Sequence, residues 1–272
     1  MAVHAHPDDE ASGTGGVLAR YSDEGIRTIL VTCTNGELGD AAGGVKPGEP
    51  GHDEASVVRT RRAELEASCA VLGVDELEML GYHDSGMMGW PQNDAAGSFW
   101  TTPVAEASRR LGELLERYRP QVVVTYDERG FYGHPDHIQA HRITVAALET
   151  TPVASKLYCT ALPGSALADF STLFADELAG SRELSEPTAD EVAAFAEIAT
   201  PDELVTTWVD CSGFADRKRN ALAAHASQSD NLAFLRLEPE RFRQMFGTET
   251  FVRLADSTGA RVPEVDLFAG LR

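Results

Sequence analysis

The feature that most constrains this 272-residue chain is the alternation of strand-like and helix-like segments through its first half. Met1 to His4 reads as a very short strand. Gly15 to Glu24 follows, with Val17, Leu18 and Tyr21 at helical spacing and Gly25 placed as a C-cap. The apolar run Thr28–Cys33 is a second strand, Arg59 to Leu72 a second helix ending at Gly73, and Leu77–Leu80 a third strand. A helix from Val104 to Tyr118, closed by Pro120, precedes the β-branched run Val122–Val124. The order predicts an α/β fold: a Rossmann-like, mostly parallel sheet with helices on both faces and a smaller C-terminal appendage.

Open parallel sheets bind ligands beyond the carboxyl ends of their strands. Four polar segments fall there: His6–Glu10, Thr34–Asp40, Tyr82–Met88 and Tyr126–His137. Past about Thr150 the alternation weakens. Lys156–Thr160 and Leu204–Val209 read as strands, and Phe214–Ala226 as a helix. Gly164 to Glu203 holds ten acids and one arginine, Arg182, and reads as a solvated helical insertion. The expected organisation is a catalytic core over residues 1–160, with the acidic insertion and C-terminal region, 161–272, packing on it.

The net charge of −20 argues against nucleic acid and anionic membranes as partners, because a phosphate surface would be repelled. No apolar run approaches the roughly 20 residues of a membrane span, and no secretory signal is visible, so the cytoplasm is expected. Cys33, Cys69, Cys159 and Cys211 are too dispersed for a zinc ribbon or a redox dithiol and read as buried thiols.

Two His-Pro-Asp clusters carry the chemistry. His6-Pro7-Asp8-Asp9-Glu10 follows the first strand, and His134-Pro135-Asp136-His137 follows the fourth. Proline keeps His6 extended, and consecutive carboxylates in such a turn point apart, one free to bind a metal while the other faces water. A lone His-Pro-Asp is most simply a turn. Two copies, each after a predicted parallel strand, read as a catalytic site. Two imidazoles and one carboxylate with open positions suit Zn²⁺ or Fe²⁺. His141, four residues after His137, lacks the zincin glutamate, since position 138 is Ile, and reads as a supporting residue. His4, His52 and His83 are weak ligand candidates.

Together with Thr34–Glu37 (T-x-G-E), Asp84–Met87 (D-S-G-M) and the late segment His225-Ala226-Ser227-Gln228, these clusters resemble the LmbE-like (PIG-L) deacetylase family. Its members include N-acetylglucosaminyl-phosphatidylinositol deacetylases, N-acetylglucosaminyl-inositol deacetylases and mycothiol-conjugate amidases. The resemblance covers residues 1 to about 150 well. It implies a zinc-dependent hydrolase, with Fe²⁺ as the alternative ion, that removes an N-acetyl or other N-acyl group from an amino-sugar conjugate. His6, Asp9 and His137 match the metal ligands, and Asp8 matches the general base, for which a depressed pKa is suited because it must stay ionised beside a dication. His134 matches the residue that stabilises the oxyanion and protonates the amine, with Asp136 orienting its ring and raising its pKa. Tyr132 matches a mobile tyrosine, and Arg61 and Asp84 match positions that hold the sugar.

The first strand is shorter than in the family, and the stretch 164–203 matches no family element. An amidase taking a larger acyl group and an idle sugar-binding protein of the same fold are the alternatives, and a homo-oligomer is compatible with the sequence. A dehydrogenase is disfavoured because Leu18 stands where the third glycine of G-x-G-x-x-G belongs. Gly13-Thr14-Gly15-Gly16 reads instead as close backbone packing. No G-x-S-x-G serine elbow is present.

Overall fold

The computed structural model describes residues 1–167 and 198–272, so most of the acidic stretch 164–203 lies outside the described residues. Seven strands form one sheet: β1 (Ala2–His4), β2 (Ile29–Thr34), β3 (Glu76–Tyr82), β4 (Val122–Thr125), β5 (Lys156–Ala161), β6 (Thr207–Asp210) and β7 (Thr248–Asp256). Their order is β3-β2-β1-β4-β5-β7-β6. The first five are parallel, and β7 runs antiparallel between β5 and β6.

The chain leaves β1 toward β2 and β3 and returns on the opposite side as β4. The crossovers therefore diverge between β1 and β4, the point where an open sheet leaves a crevice. Both His-Pro-Asp clusters leave the sheet there.

Helices cover both faces. α1 (Asp9–Asp23) and α2 (Glu54–Leu72) lie on one face, joined by the later α6 (Ala215–Ala224). Their Leu18, Leu65, Leu72 and Leu222 pack with Ala2 and Leu30. On the other, α3 (Val104–Tyr118) and α5 (Pro135–Thr150) bring Leu111, Leu115 and Ile143 against Val3, Val31 and Val123. Adjacent strand residues serve opposite cores, which is why all six residues of β2 are buried. Between β4 and α5 a one-turn segment, α4 (Gly130–Gly133), is broken at Phe131. α7 (Ser229–Leu235) and α8 (Pro239–Phe246) complete the order. Among the described residues no helix is long and apolar enough to cross a membrane.

α1 begins at Asp9, six residues before the predicted start, because its three glycines mask the amphipathic pattern while Asp9 and Glu10 suit the positive end of the helix dipole. β7 escaped the sequence reading altogether. Its inward Glu249 breaks the apolar alternation, yet it accepts hydrogen bonds from Lys218 (2.6 Å) and from the N–H groups of Gly16 (2.7 Å) and Val17 (2.8 Å). β6 and β7 thus extend the sheet beyond β5, and Glu249 ties β7 to α1.

The glycine cluster is indeed a place of close backbone approach. A methyl group added at Gly16 would sit 2.6 Å from Cys211 Cβ and 2.9 Å from Glu249 Oε1. Gly16→Ala should therefore lower unfolding stability by about 1–3 kcal/mol, read as an earlier urea midpoint. An unchanged midpoint would show that α1 and β7 can separate freely.

Candidate active site

β1 stops at His4 because Pro7 and a left-handed residue follow: Asp8 has φ 115° and ψ −25° and serves as the N-cap of α1. This turn aims consecutive side chains differently. Asp9 Oδ2 accepts the backbone N–H of His6 (2.7 Å) and lies 3.2 Å from His6 Nδ1. Its Oδ1 lies 3.5 Å from His137 Nε2. One carboxylate thus sits between two imidazoles contributed by different strand ends.

The second cluster is built by the start of α5. His134 is its N-cap, and His134 Nδ1 accepts the N–H of Asp136 (3.1 Å). Pro135 fills the first helical position, where no N–H is needed. The ring centres of His6, His134 and His137 are 4.5 to 5.3 Å apart. The Tyr126 ring stacks against His137 at 4.1 Å, and its hydroxyl accepts the Ala5 N–H (2.9 Å), fixing that floor to the end of β1.

Whether this cluster suits a metal turns on its unmet bonding capacity. Both ring nitrogens of buried His137 lack a hydrogen-bond partner among the described residues, and so does Asp136 Oδ1. One ligand atom each from His6, His134 and His137 comes within 4.8 Å of the others. A buried imidazole with no hydrogen-bond partner, as at His137, is costly, and the Asp9 carboxylate, outside that three-histidine group, stands beside both His6 and His137. Imidazoles with a neighbouring carboxylate are donors a divalent ion takes. The residues fit a metal.

The electrostatics follow from the packing. Burial opposes charge on Asp9, but His137 and His6 outweigh it and hold its pKa well below the usual carboxylate range. Burial likewise disfavours charge on His6, yet Asp84, Asp136 and Asp9 raise its pKa. Two expectations are corrected here. Asp8 was expected to titrate low, but burial, with Asp9 and Glu10 nearby, raises its pKa despite Arg61 and His225. His134 was expected to be raised by Asp136, but burial and then His6 and His137 lower its pKa. The reason is geometric: Asp136 Oδ2 accepts from Ser85 N–H (2.9 Å) and lies 3.2 Å from His6 Nε2, so its carboxylate serves His6. Only the backbone N–H of Asp136 reaches His134.

The other predicted residues are placed as follows. Tyr132 is 45% exposed beside the Phe131 break, its ring centre 5.0 Å from His137 and 6.0 Å from His134. Asp84 is buried, accepts the Gly86 N–H (2.8 Å) and stands 3.8 Å from His6 Nε2. Arg61 is buried, not paired along its own helix. It donates to the carbonyls of Gly36 (2.9 Å) and Pro7 (2.5 Å) and lies 3.2 Å from Asp8 Oδ2. His141 Nδ1 is 2.8 Å from the Tyr126 carbonyl oxygen. His4 is held by Thr14 and Tyr126, His52 by the Gly39 carbonyl, and His83 by the Asp84 carbonyl.

Sequence reasoning assigned no role to Glu10, Glu37, Ser68 or Asn231, and none to His225 beyond its motif. Glu37 accepts the N–H of Asp84 (2.9 Å). Glu10 and His225 form a fully buried pair at 2.7 Å. The signal available for Glu10, Glu37 and His225 was their place in the three quoted motifs.

The family model described as GlcNAc-PI de-N-acetylase, PIG-L, matches residues 1–148. The 1D-myo-inositol 2-acetamido-2-deoxy-α-D-glucopyranoside deacetylase of Acidothermus cellulolyticus is 41% identical over 288 aligned positions, covering 100% of this chain and 94% of that one. Among solved structures, the N,N'-diacetylchitobiose deacetylase of Pyrococcus horikoshii superposes with a TM-score of 0.58 at 20% identity, covering 93% of this chain and 82% of its own. The 4-carboxy-2-hydroxymuconate hydratase of Pseudomonas putida KT2440 reaches 0.60 at 16% identity, with 96% and 97% covered. A hydratase and a deacetylase on one fold mean that the architecture alone does not choose the reaction. The family match, which spans more than half of the chain, and the end-to-end similarity to the Acidothermus protein establish that this chain belongs to the PIG-L de-N-acetylase family.

Proposed function

We propose that the chain is a divalent-metal hydrolase that removes the N-acetyl group of an N-acetylglucosamine glycoside, 1D-myo-inositol 2-acetamido-2-deoxy-α-D-glucopyranoside being the favoured substrate. The observation that carries this reading is the Asp9 carboxylate between His6 and His137, with His137 otherwise unpartnered and Asp8 alongside. The names of the full-length relatives point to the same substrate.

His6, Asp9 and His137 would hold the ion, zinc or alternatively iron. Such an ion polarises an amide carbonyl and makes water acidic enough to attack near neutral pH. Asp8 accepts the proton of the attacking water. His134, its Nδ1 occupied by the Asp136 N–H, carries its proton on Nε2 and donates from there to the carbonyl oxygen as that becomes negative. Burial favours this neutral ring. The proton that leaves with the amine is therefore the one Asp8 has collected. Asp136 fixes the tautomer of His6, a carboxylate behind a ligating imidazole. Tyr132 closes over the carbonyl, Asp84 accepts from a sugar hydroxyl, and Arg61 shapes the sugar site through the two carbonyls it holds. A small, uncharged glycoside suits a chain of net charge −20 better than an anionic lipid surface, and the enzyme acts in the cytoplasm.

Elemental analysis of purified protein should give about one divalent ion per chain. His137→Ala should abolish it, and full occupancy in that variant would refute the ligand set. Asp8→Asn should keep the metal and lose roughly a hundred- to ten-thousand-fold in kcat, whereas Asp9→Asn should lose the metal itself. Equal metal loss in both would mean that base and ligand have been exchanged. Release of acetate should be fastest from the inositol glycoside in a panel that also holds simple N-acetylglucosamine glycosides, acyl-cysteinyl glucosamine conjugates and non-sugar acetamides. Preference for the non-sugar amides, undiminished in Asp84→Ala, would overturn the sugar assignment and leave the hydrolase standing.

A further inference from the structure

Asp8 occupies a backbone region that costs a non-glycine residue of order 1–3 kcal/mol, so something must hold it there. The restraint is a buried network. The N–H of Asp8 donates to Glu10 Oε2 (2.9 Å). The other oxygen of Glu10 accepts from Ser68 Oγ (2.5 Å) and pairs with His225 Nε2 (2.7 Å). Glu10, Ser68 and His225 are all completely buried. The side chain is gripped separately. Asp8 Oδ2 accepts from Asn231 Nδ2 (3.1 Å) and lies 3.2 Å from Arg61 Nη2. His225 caps the C-terminus of α6, and Asn231 lies in α7, more than 200 residues along the chain from Asp8 and beyond the segment that the family model matches.

This double grip makes the two oxygens of Asp8 unequal. With Oδ2 committed to Asn231 and Arg61, Oδ1 is the oxygen left to take a proton. We propose that Asn231 and His225 are positioning residues for the reaction, Asn231 by holding Oδ2 of Asp8 directly and His225 by fixing the Glu10 carboxylate that anchors the Asp8 backbone. The proposal rests on Asp8 as the base.

Anchoring of the segment itself supports this role. Ser227 donates to Glu64 from N–H (2.8 Å) and Oγ (2.7 Å). Gln228 accepts from the Asp40 N–H (3.1 Å) and donates to its carbonyl (3.2 Å), and Ser229 Oγ donates to the Asp40 carboxylate (2.6 Å). A segment held by α2 and by the loop after β2 is rigid enough to orient a carboxylate.

The experiment is a double-mutant cycle on the full-length, metal-loaded chain, with kcat, KM and metal content measured for Asn231→Ala, Asp8→Asn and their combination. Asn231→Ala should lower kcat about tenfold, with KM and metal content unchanged, and should add nothing in the Asp8→Asn background. His225→Gln, which keeps a donor toward Glu10, should retain more kcat than His225→Ala. If burial makes the His225 variants misfold, the Asn231 cycle decides alone. An unchanged kcat in Asn231→Ala, or the same tenfold loss with and without Asp8, overturns the positioning role. Full turnover in Asp8→Asn instead overturns the base assignment on which it rests.

Discussion

Two carboxylates side by side after a parallel strand can do different work only if the backbone between them turns sharply, and that turn at Asp8 governs the rest of the site. Its left-handed φ starts α1 at Asp9, lets that carboxylate reach both His6 and His137, and sends Asp8 the other way, toward Arg61 and Asn231. An ordinary helical φ at Asp8 would leave the neighbouring carboxylates competing for one space. Hydrogen bonds to charged groups contribute about 1.5–3 kcal/mol each, so Glu10 and Arg61 together outweigh the strain the turn stores.

The fold supplies the place for that turn. Diverging crossovers at β1 and β4 leave a crevice, and the two His-Pro-Asp clusters enter it from adjacent strands. The second cluster divides its work between side chain and backbone. The Asp136 carboxylate steadies His6, while its N–H selects the tautomer of His134. A single residue at a helix start thereby couples the imidazoles of His6 and His134.

Much of this was legible in the sequence where one residue type carries one message. The apolar runs of β2 and β4 sit in buried parallel strands because both of their faces meet helices. His6, Asp9, His134 and His137 stand out because proline, aspartate and histidine recur at two strand ends, and the structure brings these four side chains together. The failures have a common cause, which is polar residues satisfied by partners far along the chain. Glu249 hid β7 because its ion pair with Lys218 and its bonds to α1 are invisible to an apolar pattern. Glu10 read only as part of the polar segment after the first strand, and nothing local announces that His225 faces it. The Asp136 carboxylate was assigned to His134, its neighbour in sequence, but bonds His6, its neighbour in space.

The division of the site between distant segments has a consequence for recombination. The residues proposed to bind the metal all precede residue 148, whereas the groups that hold Asp8 from behind come from His225 and Asn231. A chimera joining two family members near residue 150 would inherit its ligands from one parent and half of the Asp8 mounting from the other. Such hybrids would bind metal normally and differ in turnover, so the natural unit of exchange is the whole chain.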